Sequence, residues 1–287
     1  MWILKKIIDL ILYGNFWIAL GALVLTLQTK YILGEEVAWD EFGGLVFFST
    51  WLLYSLHRIV GILRMEGFLD LERYSVISKF RSHIIIYAII ATIGTIWYFF
   101  HLSPPVQIAV VLPGLFSLAY VLPFFGKRKR LRDFNQIKIY LIAFVWAWVT
   151  VVLPAVASGS VWSWSLLLMF LERALFVFAI TLPFDIRDLK VDGHTEVSTI
   201  PAVIGVDKTR SLALGLLGLG LVLIFINGYL GFYAFDVLVG LMISFISTGF
   251  LIRLSSVERH DYFYSGLMDG TMVFQGLWIW LYGVLLY

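Results

Sequence analysis

Apolar residues in this chain run in long blocks rather than alternating with polar ones. Nine such stretches can be traced: Ile7–Leu27, Phe42–Val60, Ile84–Phe100, Val106–Phe125, Ile139–Val156, Trp162–Leu182, Leu212–Leu230, Phe235–Ile252 and Leu267–Leu286. Each is close to the roughly 20 residues that a helix needs to cross a bilayer. The two-residue period of a barrel strand is absent, and inside hydrocarbon a lone segment satisfies its backbone only as a helix. The pattern predicts an all-α polytopic membrane protein with about nine transmembrane helices bundled around a central cavity. The longest connection, Arg187 to Ser211, is too short for a soluble domain. Residues 1–287 therefore read as a single transmembrane helical domain.

Composition narrows the function classes. The chain is 61% hydrophobic and 14% charged, against about 45–50% and about 25% in soluble domains. A soluble enzyme, a disordered chain and a basic nucleic-acid binder are all disfavoured. Cysteine is absent, which excludes disulfides, thiolate metal sites and a cysteine nucleophile. The net charge of +2 becomes informative once the basic residues are placed. Lys5 and Lys6 precede the first stretch; Arg58, Arg64, Arg73, Lys79 and Arg81 follow the second. Lys127 to Arg130, Arg132 and Lys138 follow the fourth, Arg187, Lys190, Lys208 and Arg210 the sixth, and Arg253 and Arg259 the eighth. Of 21 basic residues only Lys30 lies on the other side, with Arg173 inside a span. The positive-inside rule then predicts an integral multi-pass protein with a cytoplasmic N-terminus and its C-terminus on the opposite side. The first stretch resembles a signal sequence, but no cleavage site follows it, and it reads as a retained helix.

The chemistry concentrates where the sixth stretch meets the cytoplasm, at Asp185-Ile186-Arg187-Asp188-Leu189-Lys190-Val191-Asp192-Gly193. If the helix continues, 100° per residue puts Asp185, Asp188 and Asp192 in one ladder about 10 Å long. Like charges so spaced repel. A hard divalent cation offsets that repulsion, and Mg²⁺ is typically held by one or two carboxylates plus substrate phosphates.

These residues resemble the second aspartate-rich motif of the UbiA-type intramembrane prenyltransferase superfamily. The downstream "HTEVSTIPAVIG" is similar to that family's Thr, Pro and Gly after the motif, and "SLAYVLPFFGKRKRL" from Ser117 to Leu131 to its Tyr-then-Lys pattern. The resemblance covers nearly the whole chain. It implies a prenyltransferase that uses Mg²⁺ to ionise an allylic prenyl diphosphate and passes the prenyl group to an aromatic or other acceptor in the membrane. It implies Asp185, Asp188 and Asp192 as metal ligands and Asp185 and Asp188 as catalytic. Lys127 with Tyr120 matches the family's phosphate-side pair. Tyr54, His57 and Lys190 join them as expected substrate contacts.

The family's first motif, N-D-x-x-D-x-x-x-D, is missing. Its place reads Tyr54-Ser55-Leu56-His57-Arg58-Ile59-Val60-Gly61-Ile62, without a carboxylate. Three accounts follow. Arg58, with His57, supplies fixed positive charge where a second metal would sit, which assigns Arg58 a catalytic role. Alternatively, Glu66, Asp70 and Glu72 fold back as ligands. In the third account catalysis is lost, and the fold serves as a lipid-binding or scaffold membrane protein. A transporter lacks the paired broken spans it needs. Within the spans, Asn15, Glu172, Arg173 and Asp269 are costly and so expected to face a partner or the cavity. Gly215, Gly218 and Gly220 are expected to allow close helix approach.

Overall fold

The computed structural model describes residues 2–64, 81–122, 130–131, 137–192 and 199–286, and among these it contains helices and no strand. In chain order they are α1 (Trp2–Tyr13), α2 (Phe16–Ile32), α3 (Glu41–Arg64), α4 (Arg81–His101), α5 (Pro104–Val121) and α6 (Ile137–Ala147). A π-helical turn (Trp148–Val152) leads into α7 (Leu153–Ala157), followed by α8 (Trp164–Asp192), the short α9 (Ile200–Ile204), α10 (Val206–Tyr229) and α11 (Phe235–Leu254). A second π-helical segment (Phe263–Met268) opens into α12 (Asp269–Leu286). Six helical segments are long and apolar enough to cross a membrane, or seven when the bent pair α1–α2 counts as one span. Helices α3 and α12 occupy the other two of the nine apolar stretches. Nine crossings are thus more than the helices by themselves establish.

Outward faces carry large bare apolar side chains, among them Ile93 at 64% exposure, Ile108 at 74% and Phe225 at 54%. In water such faces would aggregate; in lipid they cost nothing, and the protein is an integral multi-pass membrane protein. Contacts close a ring: α2 packs on α3, α3 on α5, α5 on α6, α6 on α8, α8 on α10, α10 on α11, α11 on α12, and α12 on α2, with α4 outside α3. Between lipid-bathed helices the attraction is van der Waals packing, so close approach at small residues matters. A Cβ at Gly276 would lie 2.2 Å from Val24 of α2, and one at Gly240 would lie 2.5 Å from Ile279 of α12. Of the three glycines singled out in α10, only Gly220 serves this purpose, against Phe245 of α11. Gly215 and Gly218 have nothing within 4 Å of a built Cβ. The helical period puts them on a different face.

The first apolar stretch is not one straight helix, as its sequence suggests. It bends by 58° between α1 and α2. Asn15 sits in the left-handed region at φ 65°, which Asn tolerates better than most residues. The break strips helical donors from nearby carbonyls, and α3 supplies replacements. The Trp51 indole donates to the Gly14 carbonyl at 2.7 Å. Arg58 donates from Nε to Asn15 Oδ1 at 2.5 Å and from an Nη to the Leu12 carbonyl at 3.2 Å. Pro154 creates a similar vacancy, because it has no N–H for the Thr150 carbonyl four residues back. Thr29 Oγ1 fills it at 2.6 Å.

Candidate functional site

Asp185 lies one residue beyond Phe184 on α8, two beyond the Pro183 that interrupts the helical bonding of that turn. Its side chain turns inward and is only 4% exposed. Lys138, in the first turn of α6, meets it with Nζ 2.7 Å from Oδ1, and both side chains are at most 10% exposed. The face of α6 that carries Lys138 continues through Ile142, packed on the main core, to Trp146. Trp146 and Tyr54 of α3 both pack against that core. One helix thereby connects the aspartate motif with the segment where the first motif is missing.

Asp188 sits one turn on and is gripped by Arg187, whose Nε and Nη2 reach its two oxygens at 2.8 and 3.0 Å. The same guanidinium donates from Nη1 to Asp261 Oδ1 at 2.9 Å. It also lies 5.0 Å from the Phe184 ring centroid and 5.4 Å from that of Tyr264, where the ring faces favour the cation. Asp261, in the connection after α11, takes a further bond from Ser265. Arg187 therefore fastens the end of α8 to the start of the final helix.

Across the bundle, Tyr54, His57 and Arg58 share the last turns of α3, and His57 stacks on Tyr120 from α5 at 6.0 Å. Tyr54 lies within electrostatic reach of Tyr120, Arg58 and Asp269. Asp269, at the head of α12, feels both Arg58 and Arg187. Tyr54 and Asp269 are deep in the bundle, yet each keeps some accessible surface. Asp269 sits between the α3 residues and the α8 residues.

The structure thus gathers Tyr54, His57, Arg58 and Tyr120 on one side and Asp185 and Asp188 on the other. Lys127, together with Glu66, Asp70 and Glu72, lies outside the described residues. Lys190 and Asp192 belong to α8, but their side chains are outside the description. Arg58 spends at least two of its donors on the α1–α2 break. Arg130, one of the basic residues after the fourth stretch, is buried at 8% exposure. Glu172 and Arg173 are also interior and bonded to protein. Tyr233 donates to Glu172 at 3.0 Å, and Arg173 donates to the Leu25 carbonyl at 3.2 Å and to Thr150 Oγ1 at 3.1 Å. Sequence reasoning passed over Lys138, Arg187 and Asp261 as site residues. Arg187 lay in plain view inside the motif; Lys138 shared an inward face with Ile142 and Trp146, a four-residue spacing that was available to read.

Among the described residues no group of three or more His, Asp or Glu is placed to hold a metal ion. The residues present fit one divalent ion better than two. Asp185 and Asp188 occupy successive turns of α8, a donor set of the size Mg²⁺ takes when phosphate and water complete its shell. The facing turns of α3 offer a guanidinium and an imidazole in place of carboxylates.

No protein-family model and no curated protein matches this chain. Solved structures do match it. A digeranylgeranylglyceryl phosphate synthase is 18% identical, with 98% of each chain covered and a TM-score of 0.59. A UbiA homologue from Archaeoglobus fulgidus bound to GPP and Mg²⁺ is 9% identical, covering 94% of this chain and 99% of that one, with a TM-score of 0.66. A UbiA homologue from Aeropyrum pernix K1 is 14% identical over 94% of this chain and 96% of that one, with a TM-score of 0.60. At these identities the likeness is one of architecture: the ring of helices described above is the fold that these UbiA homologues share.

Proposed function

We propose that this protein is an intramembrane prenyltransferase that ionises an allylic prenyl diphosphate and transfers the prenyl group to an acceptor, aromatic or otherwise, within the bilayer. The observation that carries the reading is Asp185. It is buried on the motif helix, directed into the bundle and met there by Lys138. Diphosphate departure leaves negative charge on oxygen, and preorganised cations stabilise that charge best where water is excluded. Asp185, Asp188 and Asp192 would hold Mg²⁺, which when bound neutralises the leaving diphosphate as a Lewis acid. Among the described residues Lys138 and Arg187 are the cations that meet the two carboxylates, and Arg58 on the other side places a permanent charge where a second metal-binding motif is missing. Lys127, Lys190, Tyr120, Tyr54 and His57 remain in the proposal as substrate contacts.

The test is release of pyrophosphate from geranyl or dimethylallyl diphosphate by the purified protein in lipid nanodiscs. The reading expects release that needs Mg²⁺ and stops with EDTA; no release from either substrate, with metal present, overturns it. The second reading, a UbiA-like fold retained for lipid binding or as a scaffold, is favoured by one observation. Arg58 is engaged by the helix break at the very place where the first motif is lost. Metal-independent binding of a prenyl diphosphate, without turnover, is what that reading expects.

The proposed reaction needs the site at the cytoplasmic face, with the N-terminus on that side. The absence of native cysteine makes this simple to measure. Lys5→Cys should react with an impermeant maleimide only after the inner face of the membrane is exposed. Val161→Cys, at the other end of the bundle and 86% exposed, should react in intact cells. The reverse pattern excludes a cytoplasmic site.

A further inference from the structure

We propose that the elbow between α1 and α2 and the π-helical segment before α12 together hold one anionic phospholipid of the surrounding bilayer, its chain in the recess between them and its headgroup on Lys5 and Arg259. The inference is independent of the proposed reaction. The recess has a volume of about 470 Å³, and Ile8, Ile11, Leu12, Trp17, Phe263 and Leu267 are among the residues that line it. That volume falls within the roughly 300–1,000 Å³ of sites that take small organic ligands. Both walls depart from a straight α-helix. One bends by 58° between α1 and α2; the other is π-helical from Phe263 to Met268, a distortion that recurs at functional sites. The walls are tied together at two levels. Tyr262 donates to Asp9, and Trp17 Nε1 donates to the Gly266 carbonyl at 2.8 Å.

Where the recess opens decides what fills it. Ile11 is 38% exposed and Leu267 is 45% exposed, so the recess is continuous with the bare apolar surface that lipid covers. The charges decide the headgroup. On both walls a cation precedes the lining by about one helical turn: Lys5 stands three residues before Ile8, and Arg259 four before Phe263. Around α1, Lys5 is about 60° from Ile8 and about 20° from Leu12. Arg259 lies 5.6 Å from the Phe263 ring centroid. Lys5, Lys6 and Arg259 are all exposed. Of the acids nearby, Asp9 is engaged by Tyr262 and Asp261 by Arg187, while Glu258 is exposed on the same connection as Arg259. The polar end of the recess is therefore basic. Lysine and arginine at a membrane surface attract anionic headgroups, and an apolar wall beside them holds the chain.

The experiment is native mass spectrometry of the full-length protein, released from mixed micelles that hold equal amounts of phosphatidylglycerol and phosphatidylcholine with the same chains. One phosphatidylglycerol should stay bound, favoured over phosphatidylcholine by about tenfold. The double variant Lys5→Gln with Arg259→Gln, altered at exposed positions, should lose most of that preference and still retain lipid. Gly266→Phe should retain neither lipid. A Cβ at Gly266 meets Leu12 at 3.7 Å, an ordinary contact, so the ring can fill the recess while the backbone stays in place. Equal retention of the two lipids by the wild type, or a preference unchanged in the double variant, overturns the inference. So does a Gly266→Phe protein that holds lipid as the wild type does. If Gly266→Phe does not fold, the double variant decides alone. Geranyl diphosphate tests the other occupant: if it displaces the lipid from the wild type and no longer binds Gly266→Phe, the recess is a substrate site and the inference falls.

Discussion

Asp185→Asn and Asp188→Asn should each lower Mg²⁺-dependent pyrophosphate release by on the order of 10²-fold or more, with the double variant inactive. Asparagine keeps the shape of the side chain and can still accept from Lys138 or Arg187, so the bundle should assemble. The charge that attracts a cation is what disappears. The two positions should differ in one respect. Asp185 is enclosed, and neutralising it removes a buried charge that Lys138 meets at 2.7 Å. Asp188 is partly exposed and shares Arg187 with Asp261. Asp185→Asn should therefore also lower the thermal unfolding midpoint, while Asp188→Asn should leave it nearly unchanged. Prenyl transfer that survives both substitutions would remove the aspartate motif from the site.

The residues that were legible in the sequence are those whose meaning is local. Block length gave the helical membrane fold, and the spacing of Asp185 and Asp188 set them on successive turns of one helix, because both follow from geometry within one segment. What could not be read is whatever depends on a second helix. Nothing near Lys138 names Asp185 as its partner 47 positions later. Nothing near Asp261 shows that it shares a guanidinium with Asp188. The 58° break is an intermediate case. Gly14-Asn15 is a recognisable weak point, yet the break persists because Trp51 and Arg58 arrive from α3 to take the carbonyls it exposes. Reading Arg58 from the sequence alone therefore gave it a charge to contribute but no structural duty.

That double duty can be separated. Arg58→Ala should free the Leu12 carbonyl and Asn15 Oδ1, at a cost of about 1–3 kcal/mol for acceptors that lose a charged donor in a partly enclosed site. The loss should appear as a lower unfolding midpoint and as faster hydrogen exchange in residues 3–13, the half-helix that Arg58 holds. If the guanidinium also faces the diphosphate, KM for a prenyl diphosphate should rise about tenfold in the same variant. Arg58→Lys distinguishes the two effects. A lysine restores the positive charge, so KM should recover most of the way. It lacks the planar fork that reaches Asn15 and the Leu12 carbonyl together, so the midpoint and the exchange rates should stay close to those of the alanine variant. A KM that never moves, alongside a stability loss in both variants, would assign Arg58 wholly to the helix break. The cavity would then have no cation from the α3 side, and the reading in which this fold retains a lipid without reacting it would gain the ground that the missing first motif opened for it.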